Sequence, residues 1–137
     1  MGAKILKVLI VDDNQDLAES LAFLVRVAGH HALVAYDAGA GLRLAQQMVP
    51  DLIVHDIGLP DMSGYEAARR LRKQIGLRDA VLVAHTAYCS DYDKRRAKEA
   101  GFDNHVTKPM DPAFLCSMLK RVAAGGSLKR ELSEKGS

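Results

Sequence analysis

Five short apolar segments recur along the chain, and apolar residues at helical spacing follow each of them. The segments span residues 5–11, 33–35, 52–54, 80–84 and 102–106. A strand that is apolar on both faces belongs inside a parallel sheet, and parallel neighbours need a long connection that is usually a helix. The alternation therefore predicts a doubly wound α/β domain, in which five helices cover a five-stranded parallel sheet.

Capping residues mark where the predicted helices begin. Asn14 precedes the first helix, Ser63 and Glu66 have the spacing of a capping box before the third, and Asp111 precedes the fifth. In a capping box, each of the two side chains accepts a hydrogen bond from an otherwise unpaired backbone N–H. The third helix is predicted to run to about Ile75, with that side chain facing inward.

The length of the chain, 137 residues, predicts one domain. We expect this domain at residues 1–124 and a disordered tail at 125–137, where apolar side chains are scarce. A net charge of +2 gives no reason to expect nucleic acid, and no apolar run approaches the roughly 20 residues that span a bilayer. No secretory signal is present and Cys89 and Cys116 are far apart, so we expect a cytoplasmic protein without a membrane partner.

Polar side chains stand at the carboxyl ends of four predicted strands. Asp12 and Asp13 follow the first strand and Asp56 follows the third, while Thr86 and Lys108 end the fourth and fifth. Doubly wound sheets bind ligands at this edge. The five groups are therefore expected to converge on one rim. Asp56 is the candidate reaction centre, because a loop rich in glycine and proline follows it.

The three carboxylates of this rim predict a metal site. Two carboxylates about 4 Å apart repel by about 4 kcal/mol at an effective dielectric constant of roughly 20, and a divalent cation removes that repulsion. Mg²⁺ fits such a site, because it prefers oxygen ligands and keeps several of its waters. Taken alone, Asp12 and Asp13 could equally be turn or capping residues. Their convergence with Asp56 favours the metal site.

Lys108 and Thr86 add the groups that a phosphoryl ligand requires. A fixed ammonium, a hydroxyl donor and a metal ion around one carboxylate form a site for phosphoryl oxygens. In such a site, the carboxylate of Asp56 is the nucleophile and becomes an acyl phosphate. Each residue alone has a simpler interpretation: Lys108 as a solvated loop residue or a structural ion-pair partner, and Thr86 as an ordinary strand end.

Four motifs occur in order along the chain: Asp12-Asp13, the loop from Asp56 to Gly64, His85-Thr86-Ala87 and Lys108-Pro109. In this combination, over about residues 4–124, the chain resembles the receiver domain of two-component response regulators. The resemblance implies a flavodoxin-like fold with strand order 2-1-3-4-5. It also implies a phosphoacceptor protein of a two-component system or phosphorelay, not a conventional enzyme.

The resemblance further implies a role for each acidic residue of the rim. Asp56 accepts a phosphoryl group from a sensor histidine kinase or a histidine phosphotransfer protein. Asp13 and Asp56 ligate Mg²⁺ directly, together with the backbone carbonyl of Gly58, and Asp12 acts mainly through water. Lys108 pairs with the phosphoryl oxygens.

The switch implied by the resemblance links the rim to a surface for a downstream protein. Thr86 moves to bond a phosphoryl oxygen, an aromatic ring moves inward, and the face made of the fourth helix, fifth strand and fifth helix changes. The fourth helix, at 91–100, has few apolar residues and is therefore weakly held. His105 stands where the family usually has Tyr or Phe; it either keeps the same switching role or biases the switch by protonation near neutral pH. Pro109 is expected to follow a cis peptide bond.

Two further pairs of residues lie close to the rim. His55 and His85 each precede a site residue, and strand alternation turns both away from the rim, where they could face each other as hydrogen-bonded core residues or as a metal- or pH-sensing pair. Gly58 and Tyr88 lie two residues beyond the phosphoacceptor and the threonine, at positions that tune phosphoryl loss in the family. A glycine that positions no water and a tyrosine that crowds one predict slow loss.

Two other classes of protein are compatible with parts of this pattern. A Mg²⁺-dependent hydrolase of the haloacid-dehalogenase type also uses an aspartyl nucleophile, but it needs Asp-x-Asp after the first strand, and Asn14 occupies the third position here. A receiver-like module could bind partners without phosphorylation, although the complete set of site residues disfavours it. The sequence leaves open whether the chain is a single-domain regulator or a receiver from a longer protein such as a hybrid kinase.

Overall fold

The computed structural model describes residues 4–125, in which five strands alternate with five helices. In chain order, these elements are β1 (Lys7–Val11), α1 (Gln15–Val27), β2 (His31–Ala35), α2 (Ala38–Met48), β3 (Leu52–His55), α3 (Gly64–Arg72), β4 (Val81–Thr86), α4 (Asp91–Ala100), β5 (Asn104–Thr107) and α5 (Pro112–Ala123). The predicted number and order of the elements are confirmed. No helix among the described residues is long and apolar enough to cross a membrane.

The five strands form one parallel sheet in the order β2-β1-β3-β4-β5. The doubly wound class and the 2-1-3-4-5 order are therefore both confirmed. β1 lies between β2 and β3, so that Val11 pairs with Ala35 on one side and with His55 on the other. All five strands run the same way, which brings their carboxyl ends to one edge of the sheet.

Each face of the sheet has its own apolar core. Val8 and Ile10 of β1 belong to a cluster formed with α1 and α5, while Leu9 and Val11 belong to a cluster with α2, α3 and α4. Alternate residues of a strand point to opposite faces, so helices on both sides leave β1 no solvent-exposed face. This explains why the central strands are continuous apolar runs.

The start of α3 differs from the predicted capping box. Ser63 Oγ accepts from the backbone N–H of Glu66 as expected, but the Glu66 carboxylate accepts from Arg70 Nε at 3.0 Å. An i,i+4 ion pair has thus taken the side chain that the reciprocal bond required. The complete capping box lies instead at the start of α4, between Ser90 and Asp93.

The end of α3 also corrects a prediction. The helix stops at Arg72, and Ile75 is 97% exposed instead of facing inward, while Leu77 is buried at 1% exposure. The Arg72 guanidinium binds the carbonyls of Leu77, Ala80 and Gly101, and this holds the following turn in a non-helical path. No local sequence pattern indicates this tertiary interaction, because its partners lie up to 29 residues away.

The division of the chain into a domain at 1–124 and a tail at 125–137 stays a prediction. Residues 126–137, which make up almost all of the predicted tail, lie outside the described residues.

Candidate functional site

The ends of β1 and β3 bring the predicted carboxylates together. Val11 pairs with His55, and the backbone N–H of Asp56 donates to the Val11 carbonyl at 2.9 Å, so Asp12 and Asp56 follow neighbouring strands at the same level. One carboxylate oxygen from each of Asp12, Asp13 and Asp56 lies within 4.8 Å of the others. Asp12 and Asp56 are buried and Asp13 is exposed. The cluster therefore has two desolvated carboxylates and one that faces water.

Backbone N–H groups orient the two buried carboxylates. Asp12 Oδ1 accepts from the Asn14 N–H at 2.9 Å, and Asp56 Oδ1 accepts from the Gly58 N–H at 3.2 Å. Each carboxylate is thus fixed by the loop that follows its own strand. The second oxygen of each, Oδ2, is left to interact across the rim.

Lys108 joins the two buried carboxylates. Its Nζ donates a hydrogen bond to Asp56 Oδ2 at 3.0 Å and lies 2.9 Å from Asp12 Oδ2, a contact that is an ion pair without hydrogen-bond alignment. Burial acts to lower the pKa of Lys108, but the carboxylates of Asp12 and Asp56 outweigh it, so the pKa is raised. Lys108 is therefore a permanent cation at neutral pH. The Lys108–Pro109 peptide bond is cis.

Thr86 lies at the rim but bonds within its own loop. The side chain is fully buried, and Oγ1 accepts from the backbone N–H of Tyr88 at 3.1 Å. The backbone carbonyl of Thr86 accepts from the Lys108 N–H at 3.0 Å, so β4 and the loop after β5 are joined beside the carboxylates. Among the hydrogen bonds and ion pairs of residues 4–125, none joins the Thr86 hydroxyl to Asp56.

His105 is buried on the side of the sheet that α3 and α4 cover. It pairs with Ala84 of β4, and no ring nitrogen of His105 has a hydrogen-bond partner within the described part of the chain. Burial lowers the pKa of His105, the nearby Tyr88 backbone opposes that shift, and the charge of Lys94 adds to it. The imidazole is therefore neutral at physiological pH. This favours its interpretation as a substitute for the usual aromatic ring over a sensor that titrates near neutrality.

His55 and His85 do not face each other, which corrects the predicted pair. His55 pairs with Ala84, so His55 lies on the α2–α3–α4 side while His85, one residue further on, lies on the α1–α5 side. The His55 Nδ1 is 2.7 Å from the Asp56 carbonyl, and the His85 Nε2 accepts from the Met110 N–H at 3.0 Å. The prediction was wrong because strand register, which the sequence does not show, decides which residues align.

Two residues fix the position of the loop after β3: Asp61, within the loop, and Gly64, the first residue of α3. Asp61 accepts from the N–H groups of Ala38 and Gly39 at the start of α2, both at 3.0 Å, and these bonds lower the pKa of Asp61. Gly64 leaves no room for a side chain, since a Cβ there would lie 2.6 Å from the Asp56 carbonyl oxygen. Gly64 could be recognised in the sequence as a glycine of the motif that begins at Asp56, whereas nothing in the sequence distinguishes Asp61 from an ordinary loop aspartate.

The donor set of the rim suits a small hard cation. The ligands that the structure brings together are carboxylate oxygens of Asp12, Asp13 and Asp56, and none is a sulfur or imidazole group. Such a set is typical of Mg²⁺ sites, and receiver domains bind Mg²⁺ at an acidic pocket. The residues present therefore fit Mg²⁺.

The parallel sheet with an acidic rim and a fixed lysine places the chain in the class of CheY-like α/β signalling domains. The model of the family described as "Response regulator receiver domain" matches residues 8–120. The chain therefore belongs to the response regulator receiver domains of two-component signal transduction.

Individual relatives agree with this family. Protein PilH of Pseudomonas aeruginosa is 32% identical over 119 residues, which cover 87% of this chain and 98% of PilH. The transcriptional regulatory protein KdpE of Mycobacterium tuberculosis is 34% identical over 131 residues, which cover 93% of this chain and 57% of KdpE. The structure of the chemotaxis response regulator CheY4 of Vibrio cholerae matches with a TM-score of 0.81 and 28% identity, and the match covers 87% of this chain and 99% of CheY4.

Proposed function

We propose that the chain is a phosphoacceptor in which Asp56 takes a phosphoryl group from the phosphohistidine of a sensor histidine kinase or a histidine phosphotransfer protein. One observation supports this most directly. The ammonium of Lys108 lies between the buried carboxylates of Asp12 and Asp56, and Asp13 completes a cluster whose carboxylate oxygens lie within 4.8 Å of one another. A structural ion pair needs one carboxylate, whereas this site gathers three from the ends of two neighbouring strands, β1 and β3.

The proposed transfer uses the carboxylate of Asp56 as the nucleophile. An oxygen of Asp56 attacks phosphorus, the O–P bond forms, and the N–P bond of the donor phosphohistidine breaks with its electron pair returning to the imidazole. Asp56 is 6% exposed, so its oxygens have little water to shed before they react. Lys108 remains charged throughout and can follow the phosphoryl oxygens from its place beside Asp56 Oδ2.

Asp12, Asp13, Asp56 and the carbonyl of Gly58 would hold the Mg²⁺ ion. When bound, Mg²⁺ neutralises the carboxylates and the phosphoryl oxygens that approach them. The chain's own contribution is orientation: the N–H groups of the loops after β1 and β3 hold one oxygen of each buried carboxylate, so the other oxygen faces the rim.

The switch proposed to follow begins at Thr86. Its Oγ1 now accepts from the Tyr88 N–H, and it would give up this bond to donate to a phosphoryl oxygen. His105 is buried with neutral, unpartnered ring nitrogens, so no hydrogen bond of the described residues opposes its movement into the space that Thr86 leaves. The altered surface would be that of α4, β5 and α5, and the downstream protein is unspecified. We place this reaction in the cytoplasm, where Cys89 and Cys116, both free and exposed, remain reduced.

The second candidate is a module of the same fold that binds its partner without phosphorylation. The ion pairs of Lys108 already occupy the site in its present state, and such a module would need nothing more. An aspartyl-nucleophile hydrolase finds less support, because Asn14 serves as the cap of α1, where its side chain accepts from Leu17 N–H.

Incubation with acetyl phosphate and Mg²⁺, followed by intact-mass analysis, tests the proposal. We expect a single added phosphoryl group in the native chain and none in Asp56→Asn or in the presence of a chelator. Asp61→Asn is the matched control, because this loop carboxylate lies nearby but outside the cluster, and it should still be labelled. Native protein that stays unlabelled would exclude phosphoacceptor function, and continuous turnover of a phosphomonoester would indicate the hydrolase instead.

A further inference from the structure

His85 is a buried histidine that the proposed chemistry does not use. It is 1% exposed and lies directly before Thr86 at the end of β4. Its Nε2 accepts a hydrogen bond from the backbone N–H of Met110 at 3.0 Å, across 25 residues of sequence. The ring therefore connects two of the segments that surround Asp56: the strand that ends in Thr86 and the loop that begins with Lys108.

The loop after β5 has few ways to be held at this point. Lys108 donates its backbone N–H to the Thr86 carbonyl at 3.0 Å, Pro109 has no N–H, and Met110 donates to His85. Both backbone donors of residues 108–110 thus go to two consecutive residues of β4. Removal of either bond would leave residues 108–110 with one backbone hydrogen bond to β4 beyond the end of the β4–β5 pairing.

The imidazole accepts this bond at a cost to the fold. A neutral ring that accepts at Nε2 carries its proton on Nδ1, and the His85 Nδ1 is buried without a hydrogen-bond partner among residues 4–125. Buried polar atoms are nearly always paired, so an unpaired one asks for an explanation. An aliphatic residue would fill the apolar face towards α1 and α5 without that cost, but it would offer no acceptor to Met110.

We propose that His85 is a positioning residue for phosphoryl transfer: as the acceptor of the Met110 N–H, it holds the Lys108 loop against the Thr86 strand, so that the two groups expected to contact the phosphoryl oxygens keep a fixed separation. The inference rests on the proposed phosphoacceptor function. It adds that the ammonium of Lys108 reaches Asp12 and Asp56 because its loop is fixed from β4, not only because opposite charges attract.

Three variants separate positioning from stability. In His85→Gln, the longer amide places an oxygen near the position of Nε2, so the acceptor is kept. In His85→Leu, the acceptor is lost at a similar volume. Val83→Ala is the control for a general loss of packing. Val83 is fully buried on the same strand and the same apolar face, and its side chain offers no hydrogen-bond acceptor to the loop.

The rate of phosphorylation by acetyl phosphate at saturating Mg²⁺ is the first measurement. We expect His85→Leu to be slower by about tenfold or more, because small misplacements of a charged group reduce rates steeply, while His85→Gln and Val83→Ala remain within about threefold of the native chain. The dissociation constant of Mg²⁺ should not rise in any of them, since the carboxylates are oriented by other loops and displacement of the Lys108 ammonium can only favour a cation there. Equal rates for His85→Leu and Val83→Ala, or a His85→Gln as slow as His85→Leu, would overturn the proposal.

Nitrogen-15 NMR gives a second measurement that does not depend on phosphorylation. We expect a slowly exchanging Nζ ammonium signal from Lys108 in the native chain and in His85→Gln, its loss in His85→Leu, and the Nδ1–H tautomer of His85. The Nε2–H tautomer in the native chain, or a Lys108 signal that survives in His85→Leu, would refute the positioning role. A native chain that is never phosphorylated but shows the expected NMR pattern would reject the proposed function and keep His85 as the residue that positions Lys108.

Discussion

Asp13 should make the folded protein less stable when no divalent cation is present. Its carboxylate lies within 4.8 Å of two others, and unlike them it is exposed and forms no ion pair with another of residues 4–125. Two charges at 4.8 Å repel by about 3.5 kcal/mol at an effective dielectric constant of roughly 20 and by about 0.9 kcal/mol in bulk water. Because Asp13 faces water, the second figure applies to each of its two neighbours, and the opposite charge of Lys108, which is paired with both neighbours, offsets part of this repulsion.

We therefore expect Asp13→Asn to raise the free energy of unfolding by about 1 kcal/mol in a chelator. When Mg²⁺ is added, the native chain should instead have the higher free energy of unfolding of the two proteins. At a concentration about 100 times its dissociation constant, Mg²⁺ stabilises the native chain by about 2.7 kcal/mol, while the variant, which lacks one ligand, gains much less. Urea unfolding with and without Mg²⁺ measures both differences.

Asp16→Asn is the control for this measurement. Asp16 is another exposed acidic residue, in the first turn of α1 and outside the cluster. Its charge interacts favourably with the N-terminus of that helix, so its removal should lower stability slightly and leave the gain from Mg²⁺ unchanged. A native chain that is more stable than Asp13→Asn in the chelator, or equal gains from Mg²⁺ in the two proteins, would refute the electrostatic account of this site.

Three further predictions concern stability, phosphoryl lifetime and pH. Arg72→Lys should lower the free energy of unfolding by about 2 kcal/mol, because an ammonium cannot replace the planar guanidinium that binds several carbonyls at once; urea unfolding against the native chain checks this, and an unchanged midpoint would contradict it. Tyr88→Ala should shorten the lifetime of the phosphorylated protein by roughly three- to tenfold, because the tyrosine ring lies over Gly58, where a Cβ would be 3.1 Å from it, and limits the approach of water; decay followed by intact mass checks this, and an unchanged or longer lifetime would contradict it. His85→Gln should reduce the loss of stability on acidification. Burial and the charge of Lys108 lower the pKa of His85 to about 4, so between pH 6.5 and 4 the unfolded chain binds a proton that the native chain does not, and the free energy of unfolding falls by up to about 3 kcal/mol. Parallel pH profiles of the free energy of unfolding for the two proteins would contradict this.

The fold and the position of the rim follow from local patterns, which is why the sequence was sufficient for them. Burial of Val8 and Leu9 on opposite faces is a direct consequence of helices on both sides, and it produces the continuous apolar run that predicts a central parallel strand. Asp12 and Asp56 come together for a similar reason, because the first residue after a parallel strand always lies at the carboxyl edge of the sheet. Neither inference requires knowledge of the side-chain packing.

The same local patterns do not predict the register of neighbouring strands or long-range hydrogen bonds. His55 and His85 have equivalent places in their motifs, yet the pairing of His55 with Ala84 puts them on opposite faces. Ile75 continues the helical spacing of α3, but Arg72 binds carbonyls up to 29 residues away and ends the helix first. In each case, the deciding interaction joins segments whose separation in space cannot be judged from their separation in sequence.

Lys108 allows the carboxylates of the rim to lie close together when no ligand is bound. Its ammonium offsets the repulsion between Asp12 and Asp56, and backbone N–H groups of the following loops hold the other oxygen of each. Asp13 lies outside this arrangement and faces water. The charge of Asp13 is therefore the one that requires a second cation besides Lys108. A phosphoryl group on Asp56 would add further negative charge next to Asp13. On this reasoning, Asp13→Asn should remove most of the benefit of Mg²⁺ while leaving the Lys108 ion pairs intact.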